Sequence, residues 1–155
     1  MYIYLSSNHS SDVYPDNTPA SFTVRLPETF KHPEDRRSGG RWFIGLIDIV
    51  LPQPAVKTLK DHILYITCKQ AAEGIAFASN YTNILRSLPV RGAKRYGFLQ
   101  LSPVLYIPLR VQDLTEITIE LRDSEYRISP DLHKKSQTCP TLCTLELLWR
   151  TNTDH

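Results

Sequence analysis

Apolar residues in this chain recur at every second position, and no long stretch repeats them at the spacing of a helix. Side chains alternate across a strand, so period two is the pattern of a strand with one face in a core and one in water. Residues 21–26 place Phe22, Val24 and Leu26 on one side and Ser21, Thr23 and Arg25 on the other. Residues 116–122 oppose Ile117, Ile119 and Leu121 to Glu116, Thr118, Glu120 and Arg122. Near the end, Cys143, Leu145, Leu147 and Trp149 face away from Thr144, Glu146, Leu148 and Arg150. Four more runs are apolar on both faces: 2–5, 42–51, 63–68 and 104–109. In 42–51 the alternation sets Trp42, Ile44, Leu46 and Val50 against Phe43, Ile47, Ile49 and Leu51, with Asp48 as the one charge. Residues 83–90 and 96–101 complete a set of eight or nine short strands.

Turn chemistry falls between these runs. Residues 14–19, Tyr-Pro-Asp-Asn-Thr-Pro, combine fixed proline φ with Asp and Asn side chains that bond their own backbone. A polar loop is expected over 31–40, and a long, mobile polar connection over 124–140. Short helices at 56–60 or 70–78 are the alternatives to strand or coil there. Eight or so strands in one domain suggest a sandwich or barrel, and the jelly roll is the eight-strand solution made from two Greek keys. The fold expected is therefore all-β, a single jelly-roll sandwich of about eight antiparallel strands spanning residues 1–155. An immunoglobulin-type sandwich competes, but its Cys–Trp–Cys pattern is absent.

The search for catalytic chemistry returns little. No G-x-S-x-G elbow, P-loop, H-E-x-x-H or G-x-G-x-x-G occurs. A metal-dependent cupin-like enzyme would need clustered histidines, whereas His9, His32, His62, His133 and His155 are scattered. Cys139 and Cys143, with Cys68 and His133, lack the second pair of a zinc knuckle, and free thiols are expected. Asp48 reads as an ion-paired carboxylate within the sandwich or a strand-end position near solvent rather than as a catalytic acid, because no second carboxylate lies nearby in sequence. The formal charge of +2 is too small to imply nucleic acid, and the basic clusters Lys31/Arg36/Arg37/Arg41, Arg86/Arg91/Lys94/Arg95 and Lys134/Lys135 read as solvated loops. No run approaches the roughly 18 apolar residues of a membrane span. Met1-Tyr2-Ile3-Tyr4-Leu5 lacks the basic region and long apolar run of a secretory leader, so synthesis inside the cell is expected.

The segment 14–27, YPDNTPASFTVRLP, followed by Trp42-Phe43-Ile44-Gly45-Leu46-Ile47-Asp48-Ile49, resembles the penton-type minor capsid proteins of Maverick/Polinton elements and adintoviruses. The resemblance continues through 64–68, 84–86, 106–110 and 117–123 and closes on Cys143-Thr144-Leu145-Glu146-Leu147. The chain departs from that pattern in the polar insertion around 32–40 and in Cys139-Pro140-Thr141-Leu142-Cys143. The resemblance implies a single jelly roll that forms a homopentamer at the fivefold vertices of an icosahedral virion capsid, beside the major capsid protein. It implies no catalytic residue, cofactor or small-molecule substrate. Strands apolar on both faces leave outward surface to be covered, and large exposed apolar patches mark association sites. Tyr2, Tyr4, Tyr14, Pro15, Asp16 and Asn17 are the candidate subunit contacts. The alternative function is a β-sandwich glycan- or receptor-binding module.

Overall fold

The computed structural model describes residues 1–31, 39–52, 63–89, 97–133 and 139–150. Their strands are β1 (Tyr2–Ser6), β2 (Ser21–Phe30), β3 (Arg41–Val50), β4 (Ile63–Cys68), β5 (Ile75–Phe77), β6 (Asn80–Thr82), β7 (Ile84–Pro89), β8 (Phe98–Gln100), β9 (Tyr106–Pro108), β10 (Leu114–Arg122) and β11 (Leu142–Arg150). One sheet runs β1-β11-β3-β8, with β9 also on β3; the other runs β2-β10-β4-β7. All pairs are antiparallel. β8 and β9 lie along one edge of β3, at Asp48–Val50 and Phe43–Gly45, and form one interrupted strand. With the β5–β6 hairpin set aside, eight strands remain, and the chain crosses between sheets so that β1, β3 and β11 interleave with β2, β4 and β10. That is the two-Greek-key connectivity of a jelly roll.

The alternating runs fold as their periodicity dictates. Phe22, Val24 and Leu26 of β2, Ile117, Ile119 and Leu121 of β10, and Cys143, Leu145 and Leu147 of β11 all enter the core. β3 departs from simple alternation. Thr144 pairs with Asp48 but Leu145 with Leu46, so Ile47 is an extra residue opposed by nothing on β11. Such a bulge reverses the phase of a strand. Ile44, Leu46, Ile49 and Leu51 are all buried, while Phe43, Asp48 and Val50 are only half-buried. The two-sided apolar pattern expected of 42–51 is thus corrected: it is one inward stripe interrupted by a change of phase. At the end of the sheet Trp42 and Trp149 meet edge to face, ring centroids 5.4 Å apart.

No helix occurs among the described residues. The helix considered at 70–78 is replaced by a bridge from Ala71 to Leu109 and by β5. Ala71 is fully buried, and this packing overrides the good helical propensity of Ala71-Ala72-Glu73. The alternative helix at 56–60 lies outside the described residues, as do 32–38 of the loop 31–40. The connection after β10 is not loose at its start: Ile128 bridges Arg122, and Leu132 is fully buried.

The outer face of the β2-β10-β4-β7 sheet is covered by the chain itself. On β4, Tyr65 packs against Phe77 of β5, which stacks on Tyr126. On β10, Thr118 and Glu120 are buried although they lie on the polar side of the alternation. The Thr118 hydroxyl pairs with that of Thr23, and Glu120 holds Arg122 at 3.2 Å and Lys69 at 3.8 Å. The free edge of β2 is guarded as well. The Asn17 amide accepts from the Thr23 N–H and donates to the Thr23 carbonyl, both at 2.9 Å, and Ser10 Oγ accepts from the Arg25 N–H. These side chains take the place of a neighbouring strand.

Asp123 anchors the turn that carries Tyr126. Its carboxylate accepts from the Glu125 and Arg127 N–H groups and from Arg127 Nε. Burial opposes its charge, but these hydrogen bonds and the Arg127 guanidinium outweigh burial and hold its pKa below the usual carboxylate range. Asn17→Ala is expected to cost about 1–3 kcal/mol by urea unfolding, because it strands both backbone groups of Thr23. A depressed folded-state pKa contributes stability that is present above the unfolded value and lost as pH falls through the folded one. Wild-type stability should therefore decline below about pH 4, and that decline should be shallower in Asp123→Asn, which should also be less stable at pH 7.

Candidate functional site

The outer face of the β1-β11-β3-β8/β9 sheet is the contrasting surface. Its register sets Tyr2 of β1 beside Glu146 of β11, Gly45 of β3 and Tyr106 of β9. The next row holds Tyr4, Thr144, Asp48 and Gln100, and the one after it Leu142, Val50 and Phe98. Tyr2 is 59% exposed and Tyr4 72%, and Phe98 and Leu142 are also exposed. A shallow depression of about 280 Å³ lies beside Tyr4, lined also by His9, Asp48, Val50 and Leu142. Asp48 is therefore on an outward surface rather than in the core, because the bulge at Ile47 turns it that way.

One part of this face is rigidly built. A Cβ on Gly45 would come within 2.7 Å of Val104 Cγ1 and 2.9 Å of the Tyr106 ring, so glycine is what lets that ring lie across β3. The Tyr106 hydroxyl then donates to Glu146 on β11 at 2.7 Å, and this bond raises the pKa of the phenol. The Arg150 guanidinium sits 5.0 Å from the Tyr106 ring and 5.4 Å from that of Phe43.

The edge of this sheet is open. Met1 exchanges two hydrogen bonds with Leu147, and the Ser7 N–H donates to Thr141, so odd-numbered residues of β1 point their backbone groups at β11. By the alternation of an antiparallel ladder, Tyr2, Tyr4 and Ser6 point theirs away. Ser6 is capped by His9, whose Nδ1 accepts from the Ser6 N–H and whose own N–H donates to the Ser6 carbonyl. The backbone groups of Tyr2 and Tyr4 have no such cap among the described residues.

The six candidate contact residues thus form two patches. Tyr2 and Tyr4 share the bare face and edge. Tyr14, Pro15, Asp16 and Asn17 lie over β2 of the opposite sheet, where Tyr14 donates to Glu116 and Asn17 guards the strand edge. The bond to Glu116 raises the Tyr14 pKa. Sequence reasoning missed Phe98, Leu142, Tyr106 and Glu146; parity along β11 put Glu146 outward, but which residues stand beside it depends on strand register.

Cys68 and Cys143 enter the core from opposite sheets, while Cys139 is exposed. Burial pushes the Cys68 thiol up to about 11 and raises that of Cys143 further. His133 Nδ1 is 2.8 Å from the Thr18 hydroxyl. Among the described residues no three His, Cys, Asp or Glu side chains converge as a metal site, and no helix is long and apolar enough to cross a membrane. Of the basic clusters, Lys31, Arg41 and Arg86 are among the described residues: Lys31 is exposed, and Arg41 and Arg86 donate to the carbonyls of Leu109 and Pro103; Arg36, Arg37, Arg91, Lys94, Arg95, Lys134 and Lys135 lie outside the described residues. No family model and no curated protein matches the chain.

Two outcomes test this geometry. Gly45→Ala should destabilise the protein by about 1–3 kcal/mol in chemical denaturation, because Tyr106 and Val104 must move. Thiol titration of the native protein should count one fast cysteine, Cys139, with Cys68 and Cys143 reacting only after unfolding.

Proposed function

We propose that this chain is a non-enzymatic capsid protein, a penton-type jelly roll that assembles with copies of itself into a fivefold ring and docks against the major capsid protein. The observation that carries this reading is the asymmetry of the sandwich. One sheet is covered and its β2 edge capped by the chain's own side chains; the other leaves an aromatic face and an uncapped β1 edge together at Tyr2 and Tyr4. A ring of identical subunits uses a heterologous contact, in which two different patches meet and the rotation closes. The patch at Tyr2 and Tyr4 and the patch at Tyr14, Pro15 and Asp16 lie on opposite sheets, which suits such a contact. The resemblance of the strand and turn motifs to penton-type proteins supports the same reading, and the virion is the location it implies.

Light scattering between micromolar and tens of micromolar protein should give the mass of five chains, or a concentration-dependent rise towards it. Tyr2→Ser combined with Tyr4→Ser should leave the β circular dichroism and the unfolding midpoint nearly unchanged, since both rings are exposed. The same pair should weaken assembly at least tenfold, as expected of aromatic anchors each worth above about 1 kcal/mol. A protein that stays monomeric throughout, and does not associate when the major capsid protein is added, would exclude the vertex role.

A further inference from the structure

The depression beside Tyr4 combines apolar walls with a single charge. Cross-strand pairing sets the Tyr4, Thr144 and Asp48 side chains in one row on the outer face, with Leu142 and Val50 in the next. Thr144 is the small residue between two larger ones, so Tyr4 and Asp48 stand as opposite walls around a space of about 280 Å³. Asp48 is the only Asp, Glu, Lys or Arg among the described residues of this lining. Its carboxylate is half-buried, and among the described residues no hydrogen bond or ion pair holds it. His9, the other titratable side chain here besides Tyr4 and Cys143, turns its Nδ1 to the Ser6 N–H.

An unpaired carboxylate in a mostly apolar hollow selects what can enter it. An aliphatic or aromatic side chain would strip water from Asp48 and supply no partner in exchange. A second carboxylate would be repelled. A long basic side chain meets both demands, because its methylenes lie against apolar surface while its head reaches the charge. Arginine suits the site better than lysine, since a guanidinium can face the Tyr4 ring and still bond a carboxylate.

The patch at Tyr14, Pro15 and Asp16, on the opposite sheet, carries such a residue. Arg25 of β2 is exposed, stands opposite Glu116 in the register, and its charge acts on the Tyr14 phenol. Glu116 already accepts from the Tyr14 hydroxyl, and no ion pair or side-chain hydrogen bond ties Arg25 to any described residue. Lys69, which also borders this patch, is held by Glu120 at 3.8 Å. We propose that Arg25 of one copy enters the depression of the next, its methylenes on Leu142 and Tyr4 and its guanidinium on Asp48. The inference rests on the self-association proposed above and names the charge pair that fixes which patch meets which. Each copy then gives one arginine and receives one, as a closed ring of heterologous contacts requires.

Charge reversal in the full chain tests the pairing, with association read by sedimentation velocity and light scattering. Asp48→Arg and Arg25→Asp should each weaken association about tenfold or more, because like charges then meet. The two together should restore it to within about threefold of wild type. Circular dichroism and the unfolding midpoint of each variant report whether its fold is preserved. If a reversal unfolds the chain, Asp48→Asn and Arg25→Gln take its place, and their combined effect should be clearly smaller than the product of the two single effects. A wild type that assembles, with folded single variants that assemble equally well, would overturn the pairing and leave the ring reading standing. A folded double reversal no better than the single ones, or neutral variants whose effects simply multiply, would do the same. A wild type that stays monomeric throughout would remove the ring reading and the pairing with it.

Discussion

The sandwich depends on keeping one continuous apolar stripe on the inner side of β3, and the unopposed Ile47 is how the chain does it. β3 is flanked by β11 on one side and by β8 and β9 on the other, so its inward residues sit at the centre of their sheet. Ile44 and Leu46 precede the bulge and Ile49 and Leu51 follow it, and all four are buried. Without the extra residue, strict alternation would send Ile49 and Leu51 outward and bring Asp48 and Val50 in. Burying an unpaired carboxylate and exposing two large aliphatic side chains would cost several kcal/mol together. The same bulge sets the composition of the outer face, because it delivers Asp48 and Val50 to the surface beside Tyr4.

The two outer faces then solve the problem of apolar and backbone exposure differently. The β2-β10-β4-β7 sheet is wrapped: the segment before β2 caps its edge through Asn17 and Ser10, and the β5–β6 hairpin and Tyr126 cover Tyr65. Three of its buried polar residues are accommodated by partners: Thr118 with Thr23, Glu120 with Arg122, Asp123 with Arg127. The other sheet carries its aromatic residues outward, held in place locally by Tyr106 on Gly45 and Glu146 but uncapped at β1. A sheet that is rigid and yet unfinished at one edge suits a protein whose remaining contacts come from another chain, which is why assembly is the reading proposed here.

The strand positions, the inward sets of β2, β10 and β11, and the turn at 14–19 were set by the sequence itself. Their physical basis is local: side chains alternate within each strand, and Pro15 and Asn17 favour a turn whatever surrounds them. The same alternation puts Tyr2 and Tyr4 together on one side of β1, but which side faces solvent was decided by the packing of Leu5 into the core. Tertiary structure decided what depends on a partner strand or a distant segment. Ile47 becomes a bulge only against the register of β11; Thr118 and Glu120 become buried only because Thr23, Lys69 and Arg122 are brought over β10; residues 70–78 become bridge and strand only because Ala71 has a place in the core. Phe77 and Tyr126 are far apart in the chain, and nothing in their own neighbourhoods signals that they will stack. Periodicity reports which way a side chain points relative to its own backbone, whereas what it meets there is fixed by pairing and packing across the whole fold.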